Sequence, residues 1–322
     1  LIEQLKLPLL ICTTIEGEVS NLQIAPPWSS LKLEPLTQAQ IEALLKDTFK
    51  VETDLSALSS RLHSETDGVP LFLTEYIRYL ITLKHITVDQ NQLTLKTSPD
   101  TIADLQLEVP PSIRQLARSQ YSTLSQPQKA VINLMASLER ESDLDFLLDL
   151  LCEDTEEEEQ YLDAIHQLDK AGVLLSRQIG ISQYIRFERT KVSEVIYEDL
   201  SNSHRIEIHI KIAQILEQQY SRHKTLNLCQ QIGEHYRRAE KMALAYKYLS
   251  VASMELLERG LIAEALKLSV DVHPMMRAAK EGLSHEDFIQ SRCNLLQVQS
   301  GVTRNRGEWK ENAKALRTLL RY

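Results

Sequence analysis

The chain has 322 residues, 43% apolar and 25% charged, with nine Gly, ten Pro and a formal net charge of -9; this accommodates two or three folded domains and leaves little room for long flexible linkers. A negative surplus of that size repels phosphate backbones and anionic lipid, and no basic patch offsets it, so no nucleic acid and no membrane surface is expected as partner. The four cysteines (Cys12, Cys152, Cys229, Cys293) lie far apart with no C-x-x-C spacing, a pattern that supports neither a zinc site nor a disulfide framework and fits a reduced, cytoplasmic setting.

No apolar run approaches the roughly 18 residues of a membrane helix, and the N-terminus lacks the basic-then-apolar pattern of a signal peptide. The chain begins at Leu1 rather than Met, so further sequence is expected upstream. Pro8 to Thr14 (PLLICTT) is a short apolar run ending in small polar residues, as in a parallel strand buried on both faces. Ligands of open α/β sheets sit beyond the carboxyl ends of such strands, which makes Thr13 and Thr14 candidate nucleotide contacts.

From Leu33 the pattern turns helical. Thr37 and Gln40 form a capping box for a helix through Leu45, with Ile41, Leu44 and Leu45 on one face. Leu55 to Leu62 follows, then a break at Asp67-Gly68, then a helix opened by Pro70, a residue favoured in a first turn because its missing N–H has no partner to lose there. Ile86 to Leu95 reads as a hairpin, and Ser98 to Leu107 as an exposed connector.

Three helices are predicted next, capped by Ser112, Ser125 and Ser142 and running to Leu124, Leu138 and Leu151. The acidic stretch Glu153 to Glu159 precedes Leu162, Ile165 and Leu168 at helical spacing. It reads as a first turn favoured by the helix dipole rather than as a metal site, since no His or Cys interleaves the acids. Gly172 ends that helix, and Val173 to Arg177 with Ile181 to Phe187 form a hairpin across Gly180. This is the winged-helix order. The helix that would read a DNA groove carries Glu156 to Glu159, Asp163 and Asp169 against Lys170, so packing on protein is expected of it instead.

Beyond Thr190 the pattern is all helical: Ile232 to Ala239, Met242 to Leu257, Leu261 to Val270 and Asp287 to Gln299 are amphipathic, with Gly233, Ala245, Ala252 and Ala265 where helices approach. This reads as a degenerate tetratricopeptide (TPR)-type array. Arg205 and His209, one helical turn apart, read as packing and capping residues beside Ile208, Ile212 and Ile215. The other histidines show no paired motif, and no Gly-x-Ser-x-Gly elbow occurs.

Five segments, Leu9 to Val19, Leu33-Glu34-Pro35-Leu36-Thr37, Gly68-Val69-Pro70-Leu71-Phe72-Leu73, Pro111-Ser112-Ile113-Arg114, and Phe187-Glu188-Arg189 followed by Tyr197-Glu198-Asp199-Leu200 and Arg205 to His209, resemble in their order the second half of STAND-class signalling ATPases. Proteins of that class are found fused to class III nucleotide cyclases, kinases and transcription regulators. The resemblance implies a mainly α fold: a remnant of an α/β P-loop core (1–30), a helical lid (31–108), a winged-helix domain with its following helices (109–222) and TPR-like repeats (223–322). It implies ATP or ADP as cofactor, with Mg held through a phosphate loop upstream of Leu1. Pro70 inherits a place against the adenine ring, with Gly68 letting the backbone approach. Arg189 stands where relatives carry a His that meets the β-phosphate of ADP, and Ile15 where they carry an Arg.

On this resemblance the chain is the regulatory part of a multidomain signalling ATPase, coupling nucleotide state to an effector domain in the same chain and to a protein partner through the repeats. These 322 residues alone are not expected to hydrolyse ATP, because the phosphate loop, its Lys and Mg carry that chemistry. Two alternatives from other classes are a nucleotide-independent helical scaffold and a winged-helix transcription regulator, the latter disfavoured by the acidic third helix.

Overall fold

The computed structural model describes residues 31–305 except 32, 50–53, 90–91, 96–107 and 153–154. Thr13, Thr14 and Ile15, and with them the proposed core remnant, lie outside the described residues. The fold is mainly α. It divides into two compact units, Leu1–Asp199 and Leu200–Tyr322.

The first unit opens with α1 (Gln38–Phe49), α2 (Ser56–Thr66) and α3 (Pro70–Thr82), followed by the hairpin β1 (Ile86–Asp89) and β2 (Gln92–Leu95). Thr37 starts α1 as a capping box: its Oγ1 accepts from Gln40 N–H at 3.3 Å while its own N–H donates to Gln40 Oε1 at 2.9 Å. Ile41 and Leu45, one turn apart, are fully buried, as are Leu58 and Leu62 of α2 and Phe72, Leu73, Tyr76 and Leu80 of α3. That spacing is the inward stripe of an amphipathic helix. The α2–α3 joint is made by two consecutive left-handed residues, Asp67 (φ 50) and Gly68 (φ 73).

Next come α4 (Pro111–Ser122), α5 (Gln126–Leu138), β3 (Ser142–Asp143), α6 (Leu144–Leu151), α7 (Thr155–Lys170), β4 (Leu174–Ile179), β5 (Ser182–Phe187) and α8 (Thr190–Asp199). The strands make an antiparallel sheet in the order β3-β5-β4, Leu174 opposite Phe187 and Ser142 opposite Ile185. Ser125 and Gln128 form the capping box of α5, whose residues Val131 to Leu138 are all buried. Leu147, Leu150, Ile165, Leu168, Leu174 and Ile185 fill the space between helices and sheet.

Two predicted caps are corrected. Ser112 does not cap α4: Pro111 occupies the first helical position and Pro110 the cap, so Ser112 falls one residue inside and its hydroxyl donates to Glu75 instead. Ser142 does not cap α6 either. It belongs to β3, and Asp143 caps the helix, accepting from Asp145 N–H and Phe146 N–H. A carboxylate next to the first turn gains from the helix dipole as well as the hydrogen bonds.

The second unit contains α9 (Asn202–Arg222), α10 (Leu226–Arg238), α11 (Met242–Glu258), α12 (Ile262–Val272), a 3₁₀ turn (His273–Met275), α13 (Met276–Gly282) and α14 (His285–Asn305). Ser201 and Thr225 cap α9 and α10. Helix α9 packs along α10 within this unit. Consecutive antiparallel helices meet through small residues: Ala245, Ala252 and Ala265 are fully buried, and a Cβ on Gly233 would lie 2.5 Å from Leu249 Cγ.

Within this unit one turn is built twice, the same helix end that also closes α3 at Lys84 and α7 at Gly172. Lys241 N–H donates to the Tyr236 carbonyl and Leu261 N–H to the Leu256 carbonyl, both at 2.9 Å. The residue before each donor, Glu240 (φ 58) and Gly260 (φ 79), is left-handed, the helix-ending geometry that favours Gly. Each turn is followed five residues on by a buried alanine, Ala245 and Ala265.

Candidate functional site

The turn Asp67-Gly68-Val69-Pro70 and the segment Arg189-Thr190-Lys191 meet in the first unit. Gly68 is required by its surroundings: Leu36 N–H donates to the Gly68 carbonyl at 2.8 Å, and a Cβ on Gly68 would stand 2.1 Å from the Leu36 carbonyl oxygen. The close approach that this glycine permits is thus to Leu36, in the segment leading into α1. Pro70 is exposed at the first position of α3.

Two donors of the later segment, with Ser112 of α4 as a third, meet three acceptors of the helical pair. Thr190 N–H donates to Asp67 Oδ2 at 3.1 Å, so a carboxylate from another part of the chain sits at the start of α8. Lys191 Nζ lies 2.6 Å from Glu65 Oε2 and 2.8 Å from Glu194 Oε2. Ser112 completes the set through Glu75. Glu65 serves more than one donor: Arg61 Nη2 is 2.6 Å from its Oε1, and Tyr76 donates its hydroxyl to Oε2 at 3.4 Å. Lys191, Glu65 and Tyr76 are all buried. Burial works against a charged Lys191, yet the carboxylates of Glu194 and Glu65 prevail and raise its pKa. Burial, then the Glu65 charge, raises the Tyr76 pKa and keeps its hydroxyl protonated as a donor.

Arg189 precedes this clamp directly. Its guanidinium carbon lies 6.0 Å from the centroid of the Phe72 ring, two residues beyond Pro70, at the outer limit of a cation–π contact. Glu188 Oε2 is 3.8 Å from its Nε, too far for a hydrogen bond. The arginine therefore keeps its fork of donors available to an anion while three-quarters of its side chain, 27% exposed, is covered. A small pocket beside it, lined also by Gln120, Ala171, Gly172, Val173 and Val192, has a volume of about 20 Å³, room for a water but not for a phosphate. Gly68, Pro70 and Arg189 thus come to one region from distant parts of the sequence.

A second cluster lies in the other unit, and of its members the sequence points to His209 but not to its partner. His209 of α9 and His235 of α10 face each other with Nδ1 to Nδ1 at 3.0 Å. One ring must donate and the other accept, so at least one is neutral. Burial, then the charges of Arg238 and Arg205, pushes the His209 pKa down to about 4. The predicted packing role of His209 is consistent with its burial, but its partner lies 26 residues away and only antiparallel packing brings it close. Nearby, Tyr236 and Tyr248 stack at 6.1 Å and both bond the Glu217 carboxylate. Burial pushes the Cys229 thiol up to about 11, which makes it an unreactive packing residue.

Among the described residues no group of three or more His, Cys, Asp or Glu could hold a metal ion, and no helix is long and apolar enough to cross a membrane. No protein-family model matches the chain, and no curated protein matches it. Among solved structures, it is similar to a signal transduction ATPase with numerous domains (STAND) protein with a tetratricopeptide repeat sensor from Pyrococcus horikoshii, at 14% identity and a TM-score of 0.38. The match covers 88% of this chain and 41% of that one. At that distance no residue role transfers.

Proposed function

We propose that this chain is the regulatory portion of a STAND-class signalling ATPase, in which residues 109–199 act as a winged helix closing on bound ADP and the second unit receives a protein partner. The observation that carries this reading is the meeting of the Asp67 to Pro70 turn with Arg189 and Thr190, whose contact spans 123 residues of sequence. The order helix, strand, helix, helix, hairpin, with a sheet ordered β3-β5-β4, supports the winged-helix assignment. Exposed Glu158, Glu159 and Asp163 on α7 support a protein-packing rather than a DNA-reading role for that helix. The succession of paired helices in the second unit, with a buried alanine five residues after each of the turns at Glu240 and Gly260, supports a repeat array as the partner-binding part.

A half-buried arginine with no hydrogen-bonded carboxylate suits a diphosphate, whose oxygens it would meet as a planar fork. ADP would approach it from the side of Gly68 and Pro70, since the pocket at Gln120 is too small. On this reading a phosphate loop of the STAND class would hold the magnesium, and the nucleotide state would be coupled to an effector domain. The test is calorimetric titration of ADP into the natural protein with its phosphate loop. Arg189→Ala should weaken binding by about 1.5 to 3 kcal/mol, the range for hydrogen bonds to charged groups, and Arg189→His should retain part of it. Equal ADP affinity in wild type and Arg189→Ala favours the scaffold reading instead.

A further inference from the structure

We infer that Glu65 and Lys191 form a positioning pair that, together with Asp67, sets the rotation and start of α8 and so holds Arg189 at the Gly68–Pro70 turn; for its ligand this inference rests on the nucleotide reading above. Two carboxylates two residues apart, Glu65 and Asp67, grip two consecutive residues, Thr190 and Lys191, at 3.1 and 2.6 Å. The residue immediately before them is Arg189. Its backbone has little freedom once both neighbours downstream are fixed.

The choice of a buried ion pair for this task has a physical reason. Replacing such a pair by well-packed apolar residues is often neutral or stabilising, so the pair is a poor device for stability alone. It is a good device for register. The inward face of α8 carries Val192, Val195 and Ile196 beside Lys191, all buried. A turn of α8 by one residue, about 100°, would carry the Lys191 ammonium away from Glu65, though not from Glu194 on the same helix, and would take Val192 off the inward face. The apolar stripe and the ion pairs Arg114–Glu198 and Arg118–Asp199 at the other end of α8 fix its general rotation, and the Glu65–Lys191 pair fixes it at the end that carries Arg189. The Asp67 carboxylate at Thr190 N–H then fixes where the helix begins. Arg189 itself has no strong contact that would orient it, with Glu188 at 3.8 Å and the Phe72 ring at 6.0 Å.

The pair acts through Arg189, so a double-mutant cycle on ADP affinity in the natural protein separates positioning from general support. Lys191→Met should weaken ADP binding at least fivefold when Arg189 is present and by less than twofold in an Arg189→Ala background. An equal loss in both backgrounds overturns the inference. A readout without nucleotide keeps the two readings distinguishable. Amide hydrogen exchange at Thr190 and Lys191 should speed up at least tenfold in Lys191→Met and in Glu65→Gln, with exchange in α9 to α14 unchanged. Unaltered exchange in both variants overturns the positioning role whatever ADP does. Faster exchange together with an Arg189→Ala that leaves ADP affinity untouched keeps the clamp and overturns only the nucleotide reading.

Discussion

The junction between residues 31–95 and 109–199 is held by charge and hydrogen bonds, whereas the helices of the second unit are held by shape. At the junction Glu65, Asp67 and Glu75 each receive a donor, from Lys191, Thr190 and Ser112. Inside the second unit Gly233 meets Leu249, and Ala245, Ala252 and Ala265 sit where neighbouring helices touch. A polar junction is directional and resembles the interfaces of domains that move relative to one another. A close-packed array resists sliding but names no partner atom for atom. A part that must adopt one arrangement among several suits the first kind, and a part that must remain a rigid platform suits the second.

The contrast can be broken most severely at Gly68. Gly68→Ala forces a side chain into left-handed backbone and against the Leu36 carbonyl, and should destabilise the first unit by about 3 to 5 kcal/mol, at the high end for point changes. Urea unfolding followed by circular dichroism should show an early first transition with the second retained; a single unshifted transition would refute the account of this joint.

The second unit has polar contacts of its own, among them Glu217 with Tyr236 and Tyr248, Lys247 with Asp287, and the His209–His235 pair, and pH sharpens the comparison at the last. The folded His209 pKa lies near 4, below its ordinary 6.5, so the unfolded chain binds the proton first as pH falls. The contribution is complete above pH 6.5 and is lost progressively down to about 4. Up to about 3 kcal/mol of stability should disappear over that window. The urea midpoint of the second transition, measured from pH 7.5 to 4.5, should fall in wild type and fall less in His209→Gln. A midpoint equally pH-dependent in both would remove the histidine from the explanation.

The smallest effect tests shape alone. Gly233→Ala places a methyl 2.5 Å from Leu249 Cγ and 3.2 Å from the Leu249 backbone nitrogen; the leucine side chain must turn aside and the backbone give slightly, a smaller conflict than the 2.1 Å approach to a carbonyl at Gly68. The expected loss is about 1 to 2 kcal/mol of overpacking, confined to the second transition, and Leu249→Val should recover part of it. An Ala variant as stable as wild type would show that the helices there are less tightly packed than the distance states.

Much of the helical architecture was legible because local rules dictate it. Thr37 with Gln40 and Ser125 with Gln128 announce helix starts, and the small residues of α10 to α12 announce close approach. Ser112 and Ser142 misled for an equally local reason: Pro111 next to the first moves the helix start upstream, and Asp143 next to the second is the stronger cap. Helix α13 was missed because seven residues after a 3₁₀ turn, Met276–Gly282, carry too little periodicity to register. The motifs named Gly68, Pro70 and Arg189 as candidates, but Glu65, Asp67 and Lys191 were out of reach. Nothing near Glu65 in sequence marks it as the partner of a lysine on α8, because the pairing exists only once two parts of the chain have packed.

The carboxylate of Glu65 also limits the routes by which this sequence can change. It accepts from Arg61 on α2, Tyr76 on α3 and Lys191 on α8, so substitutions at those three sites are not independent, and the effect of each depends on which of the others remain. Losing Glu65 first leaves the buried ammonium with Glu194 as its one remaining carboxylate, whereas losing Lys191 first leaves the Glu65 carboxylate two other donors. A lineage exchanging this polar knot for an apolar one therefore has a passable order, lysine before glutamate, and related chains with an apolar residue at position 191 and glutamate at 65 are the intermediates that order would leave behind.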